Sequence, residues 1–143
     1  MEEFYRGSIY YANLDPGIGS EQSGIRPVLV VQNDIGNINS PTTIIAPLTD
    51  AKNNKNILPT HIKLKAMDYM KYDSIILLEQ IRAIDKVRLK NFVSILSDKK
   101  MGEVNRALQI ALDLTNSRKG YDNEKIFGGS KKNRSNINDG KRK

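Results

Sequence analysis

Ile9, Tyr11 and Asn13 alternate with Tyr10, Ala12 and Leu14, the two-residue period of a strand whose successive side chains point to opposite faces. A first strand is therefore predicted over 8–14. Val28-Leu29-Val30-Val31 has no polar alternate, which predicts a strand buried on both faces. Between the two, Asp15-Pro16-Gly17, Gly19 and Gly24 supply turn chemistry, so 15–26 reads as one long loop of the kind that carries function or is disordered. Arg26 precedes Pro27 where this loop enters the strand, and a residue before proline is pushed toward extended backbone. Arg26 is thereby mounted on rigid chain. The position suits a surface salt bridge or a phosphate clamp, because guanidinium is always charged and presents a planar fork of donors.

Gln32-Asn33-Asp34 closes that strand, and Gly36 and Pro41 mark the next connection. A strand follows over 42–49, in which Pro47 cannot donate to a ladder and so calls for an edge position or a bulge. After a polar loop over 50–56, residues 60–65 alternate, with Ile62 and Leu64 inward and His61, Lys63 and Lys65 outward. The segment 74–84 is the longest β-like run, and its Ile75-Ile76-Leu77-Leu78 core predicts a central strand. One helical turn over 85–89 and a last strand over 91–96 come next. Ser97 then offers an N-cap with Asp98 in the first turn, and Met101, Val104, Leu108, Ala111, Leu112 and Thr115 keep helical spacing. The fold class is mainly β with α: a small, strongly bent sheet or barrel of five to seven short strands with one C-terminal helix.

Charge divides the chain of 143 residues in two. Residues 116–143 hold nine Lys or Arg against three Asp or Glu, so they carry +6 of the net +7 and leave the body nearly neutral. With few apolar residues among Asn, Ser and Gly, this segment is expected to be disordered, giving a domain over 1–116 and a basic tail over 117–143. The tail either solubilises or adds sequence-independent attraction to nucleic acid. The chain has no cysteine, an acidic N-terminus without a signal-peptide pattern, and no apolar run of spanning length. A cytoplasmic protein without membrane segments is expected.

With one histidine, no cysteine and scattered acids, the sequence shows no cluster at metal-ligand spacing, and it has no glycine-rich phosphate loop. No metal or other cofactor is expected. A serine triad would need His61 as base, yet His61 shares its face with Lys63 and Lys65, and a lone exposed histidine is more often incidental than catalytic. What remains are Arg26, Thr49 and Glu79-Gln80 at the ends of apolar strands, where a barrel edge would gather them into one groove. Thr49 has the plainer alternative of satisfying backbone groups at a strand end. Glu79 is either at a solvated end or partly buried and paired with Arg82 or Arg26; with a raised pKa it would accept a proton near neutral pH.

Arg6-Gly7-Ser8-Ile9-Tyr10, Leu14-Asp15-Pro16, Gly19-Ser20-Glu21-Gln22, Arg26-Pro27-Val28-Leu29-Val30, Ser40-Pro41-Thr42 and Leu78-Glu79-Gln80-Ile81-Arg82-Ala83-Ile84-Asp85 together resemble the MazF/PemK toxin endoribonucleases, in particular the Gram-positive MazF branch. The resemblance runs in one register over about 5–115. It implies an SH3-like barrel with a C-terminal helix, a homodimer, and metal-independent, sequence-specific cleavage of single-stranded RNA to a 2′,3′-cyclic phosphate and a 5′-hydroxyl. The RNA's own 2′-hydroxyl would be the nucleophile. Arg26 matches the family's catalytic arginine and Thr49 its catalytic threonine, while Glu79 and Glu21 fall where acidic residues are implicated as the base. Some relatives have a histidine just before the Glu-Gln pair, where this chain has Ser20.

Single-stranded RNA is read through splayed bases and their edges, which makes Ser20, Gln22, Asn33, His61 and Gln80 candidate RNA-binding residues, alongside Glu21. The resemblance also implies a cognate MazE-like antitoxin, through which alone DNA would be met. Two rivals compete: a toxin with the same barrel that binds DNA gyrase, and a non-catalytic RNA-binding barrel. Neither needs the Arg26 and Thr49 pair.

Overall fold

The computed structural model describes residues 4–53, 57–67 and 70–114. The expected tail over 117–143 lies outside them. Strands β1 (Ser8–Asn13), β2 (Ile25–Val30), β3 (Thr42–Asp50), β4 (His61–Leu64), β5 (Ser74–Leu77), β6 (Arg82–Asp85) and β7 (Leu89–Ile95) precede a helix α2 (Asp98–Leu112), and a short helix α1 (Asp34–Asn39) joins β2 to β3. All ladders are antiparallel in the order β4-β5-β3-β2-β1-β7, with β6 also on β3. The sheet is bent but open, ending at β4 and β7, rather than closed into the expected barrel.

β3 is the hub, because one of its edges carries β2 while the other carries β6 along residues 42–45 and β5 along residues 48–50. Val31 N–H donates to the Ile44 carbonyl at 2.9 Å, in the register that sets Val28 opposite Pro47. Backbone groups of Ile44, Ala46 and Leu48 therefore face β2, and those of Ile45, Pro47 and Thr49 face the other edge. Pro47 has no N–H to offer that edge. Opposite it the partner strand breaks: Leu77 passes into a one-turn 3-10 helix, Leu78–Gln80, before β6 resumes. The single strand expected over 74–84 is thus two strands. Pro47 thus lies neither on an edge strand nor in a bulge of its own strand: β3 passes through it in regular register with β2, and the gap is in the partner, between β5 and β6.

Both faces of the sheet are covered, which accounts for the unbroken apolar run in β2. Leu29 and Val31 pack with Ile9, Ala46, Leu48, Ile62, Ile76 and Leu78 beneath Val104 and Ala107 of α2. Val28 and Val30 point the other way, against Phe4, Tyr10, Leu14, Ile45, Ile84 and Leu89. Ser97 caps α2 by accepting from Lys100 N–H at 3.1 Å, as the sequence predicts. The expected continuation to Thr115 stops earlier, since Asp113 takes a left-handed conformation (φ 57°) after Leu112. Lys86–Arg88 forms the expected helical turn. α1 was not expected from periodicity; its signal is Asn33, whose Oδ1 accepts from Gly36 N–H at 2.8 Å.

Candidate functional site

Arg26 and Thr49 line one cleft of about 280 Å³, with Tyr11, Ile25, Pro27, Leu48, Asp50, Met70, Lys71, Tyr72 and Ser74. Their juxtaposition follows from strand register, since the pairing of Val28 with Pro47, carried two residues further, sets Arg26 opposite Thr49. Residue 27 would donate to Leu48 in that ladder, but it is proline and has no N–H. The Arg26 guanidinium takes the vacant acceptor instead, Nη1 donating to the Leu48 carbonyl at 3.1 Å, while Nε donates to the Ser23 carbonyl at 2.8 Å. Two anchored nitrogens fix the plane, and among the described residues Nη2 has no protein partner. Burial pulls the Arg26 pKa below its ordinary value and the nearby Asp15 carboxylate pulls the other way; an arginine remains charged at neutral pH regardless.

Thr49 is 8% exposed, and among the described residues its hydroxyl has no protein hydrogen bond. A buried hydroxyl without a partner costs roughly 1–3 kcal/mol, so one that faces a cleft beside a fixed guanidinium is poised for a ligand. The pair can grip a dianionic or phosphoryl group: a planar cation from one side and a neutral donor from the other. Among the described residues no three His, Asp or Glu side chains gather into a potential metal site.

The loop before β2 is tied at its neck. Leu14 N–H donates to the Gly24 carbonyl at 2.9 Å and Gly24 N–H to Asp15 Oδ1 at 2.7 Å. Gly24 has φ +79°, a conformation that side-chain-bearing residues rarely adopt. Arg82 Nη1 and Arg88 Nη1 donate to the Leu14 and Asn13 carbonyls at 3.2 and 3.0 Å. Arg26 is thus held from a braced loop.

Glu79 is not paired with Arg82 or Arg26. Its Oε1 accepts from the Thr60 hydroxyl at 2.8 Å and its Oε2 lies 3.0 Å from His61 Nε2. His61 Nδ1 accepts from Leu58 N–H at 3.1 Å, so the neutral tautomer carries its proton on Nε2 and donates it to Glu79. The His61 side chain is 5% exposed against 33% for Glu79, which corrects the expectation of an outward, solvated histidine. Burial raises the Glu79 pKa, but hydrogen bonds from His61 and Thr60 and the Glu79 backbone outweigh it, and the net shift is downward. That is the opposite of the raised carboxylate considered above, and it makes Glu79 a weak proton acceptor at neutral pH. The triad of Thr60, His61 and Glu79 fastens the Leu78–Gln80 turn to β4.

Gln80 continues this bracing, its Oε1 accepting from Gln22 N–H at 3.0 Å and so joining the turn to the loop before β2. Glu21 Oε1 accepts from Ile18 N–H at 2.9 Å within that loop, and Ser20 is exposed at its tip. None of these residues lines the cleft that holds Arg26 and Thr49. Asn33 lies beyond the far end of β2 from Arg26, where it caps α1. The cleft instead contains residues not singled out from the sequence: Tyr11, Asp50, Met70, Lys71, Tyr72 and Ser74. The legible signal was Lys71-Tyr72 before a buried strand, a basic residue beside an exposed aromatic.

A small, bent antiparallel sheet backed by one C-terminal helix, with a fixed arginine and, among the described residues, an unpartnered threonine hydroxyl in an open cleft, defines a small β protein whose cleft has the chemistry to take an anion. The family described as PemK-like, MazF-like toxin of type II toxin-antitoxin system matches residues 5–112, and the chain belongs to it. It is similar to endoribonuclease EndoA of Bacillus subtilis (strain 168), 54% identical over 110 residues that cover 76% of this chain and 94% of that protein. Endoribonuclease MazF of Staphylococcus epidermidis is 52% identical over 112 residues, covering 78% of this chain and 92% of that protein. Among solved structures, MazF from Deinococcus radiodurans has the same fold with a TM-score of 0.67 at 22% identity, over 79% of this chain and 99% of that one. A mycobacterial endoribonuclease in complex with its cognate antitoxin gives 0.64 at 22% identity, over 79% and 98%.

Proposed function

We propose that this member of the PemK/MazF toxin family, an RNA-cleaving nuclease, acts at the cleft between Arg26 and Thr49 by directing the 2′-hydroxyl of single-stranded RNA against its own adjacent phosphorus. The observation that carries the reading is the meeting of a guanidinium fixed by Ser23 and Leu48 with the unpartnered Thr49 hydroxyl in one cleft. The O2′–P bond forms as the P–O5′ bond breaks; the 2′-hydroxyl gives up its proton and the 5′-oxygen gains one. The products are a 2′,3′-cyclic phosphate and a 5′-hydroxyl.

Charge that builds on the non-bridging oxygens meets Nη2 of Arg26 and the Thr49 hydroxyl, donors already oriented before the reaction, which is how such groups lower a barrier. Glu21 and Glu79 remain candidates for the proton transfers. The hydrogen bonds to Glu79 favour an anchoring role for that residue, while Glu21 rides on the same loop as Arg26. Gln22 and Gln80, linked to each other, and the exposed Ser20 are candidates for contacts to the RNA beyond the cleft, whereas the ring nitrogens of His61 are taken by Leu58 and Glu79.

The chain works in the cytoplasm as a homodimer, and an acidic MazE-like antitoxin blocks the cleft. Supporting the last point, a structural neighbour is a complex with its cognate antitoxin. The test is to incubate the purified protein with mixed RNA in EDTA and map the ends. Discrete cuts with 5′-hydroxyl termini are expected, and intact RNA refutes the reading.

A further inference from the structure

Tyr72 is 58% exposed on the wall of the cleft that holds Arg26 and Thr49. Its ring is already stacked on one side by a cation, the Lys52 ammonium at 5.4 Å from the ring centroid. The backbones that present these two side chains are stitched together. Ala51 N–H donates to the Asp73 carbonyl at 2.9 Å, so the residues preceding Lys52 and following Tyr72 are directly bonded. Ala66 N–H donates to Asp73 Oδ1 at 2.8 Å, and Lys52 N–H to Asp50 Oδ1 at 3.0 Å. The aromatic ring therefore stands on braced chain, not on a floppy tip, with more than half its surface in solvent.

An exposed ring on a rigid support, next to an ammonium and a guanidinium, is the arrangement that holds single-stranded nucleic acid. A base stacks on the ring face and the cations meet the flanking phosphates. Lys71 on the same wall adds positive charge, while Asp50, also on that wall, is turned to the Lys52 backbone N–H. We propose that Tyr72, backed by Lys52, is a stacking platform for a base next to the scissile phosphate, an inference that rests on the RNA-cleaving reading of this cleft. Stacking is tolerant of base identity, so the platform sets affinity, while alignment of the phosphate falls to Arg26 and discrimination among bases to other groups.

The test uses the full chain and an RNA oligonucleotide that carries a mapped cut site. A 2′-deoxy sugar at the cleaved position lets the strand bind without reacting. Tyr72→Ala is expected to weaken binding about tenfold, Tyr72→Phe to stay within about twofold of the parent, because stacking needs the ring and not the hydroxyl. Lys52→Ala is expected to flatten the dependence of log K on log salt by about one unit. Removing the base on one side of the cut should cost the parent protein about the same tenfold and cost Tyr72→Ala nothing further. With all-ribose RNA the Tyr72→Ala effect should fall on KM and leave kcat within about twofold.

Unchanged binding by Tyr72→Ala, an equal loss in Tyr72→Phe, or additive losses from the variant and the abasic strand each overturn the platform while leaving cleavage at Arg26 and Thr49 intact. Binding without any cutting of all-ribose RNA overturns the nuclease reading while the same variants still decide the platform. A parent protein that neither binds nor cuts the strand overturns both.

Discussion

The Arg26 guanidinium donates to the Leu48 carbonyl at 3.1 Å, in the place that a backbone N–H of residue 27 would occupy were that residue not proline. One missing donor thus turns a strand-forming acceptor into a positioning group for a side chain. The contact holds Arg26 beside Thr49 and leaves Nη2 without a protein partner among the described residues.

Arg26→Ala is expected to reduce the rate of RNA cleavage at least about a hundredfold, since losing one preorganised oxyanion donor costs ~3 kcal/mol of transition-state stabilisation. Arg26→Lys should also be poor, because an ammonium cannot bond Ser23 and Leu48 while presenting a planar fork. Single-turnover rates on an oligonucleotide, with the melting temperature as a control for folding, decide this. Near-normal cleavage by either variant places the chemistry elsewhere.

Pro27→Ala gives residue 27 an N–H that competes with Arg26 for the Leu48 carbonyl. The ladder gains a bond and the arginine loses one, so stability should hold or rise while kcat falls about fivefold, the equivalent of about 1 kcal/mol for one hydrogen bond. A variant with unchanged kcat would mean that the Leu48 contact does not position Arg26.

Thr49→Val removes a hydroxyl that is 8% exposed and has no partner among the described residues. Because no bond is lost and an unsatisfied polar group disappears, stability should be equal or higher by up to about 1 kcal/mol. Cleavage should nevertheless drop at least about tenfold. Denaturant melts paired with cleavage rates measure both, and loss of stability would show that the hydroxyl is structural.

Glu79→Gln should destabilise the protein by about 1 kcal/mol at pH 7, a figure reduced for the solvent exposure of the carboxylate. The folded-state pKa of Glu79 is lowered, so its contribution is fully present above the ordinary carboxylate value of about 4.3 and is lost as pH falls through the folded-state value. The gap between the parent and Glu79→Gln should accordingly close in acid. A gap that is the same at pH 7 and well below pH 4 refutes the anchoring role.

Deleting residues 117–143, which carry nine basic and three acidic residues, should leave the melting temperature and the cut pattern unchanged. Affinity for RNA at low salt should fall and its salt dependence should become shallower. A different cut motif or a lower melting temperature would make the segment part of the domain.

Local pattern carried much of the architecture. The alternation in β1 and β4, the apolar run of β2, the Ser97 cap and the spacing of Met101, Val104 and Leu108 on α2 are each set by neighbours a few residues away, so they are readable in one dimension. So were Arg26 and Thr49 as residues with chemistry at strand ends. Tertiary structure decided the rest, because each outcome depends on a partner far along the chain. The split of 74–84 into β5 and β6 answers to Pro47 in the adjacent strand, and the lowered pKa of Glu79 answers to Thr60 and His61 rather than to either arginine. The hidden ring of His61 and the entry of Tyr72 and Lys71 into the cleft have the same origin. Strand period tells which face a side chain takes, but not which strand lies beside it; that is chosen by the register of β3 with β2, β5 and β6, and with it the groups that surround Arg26.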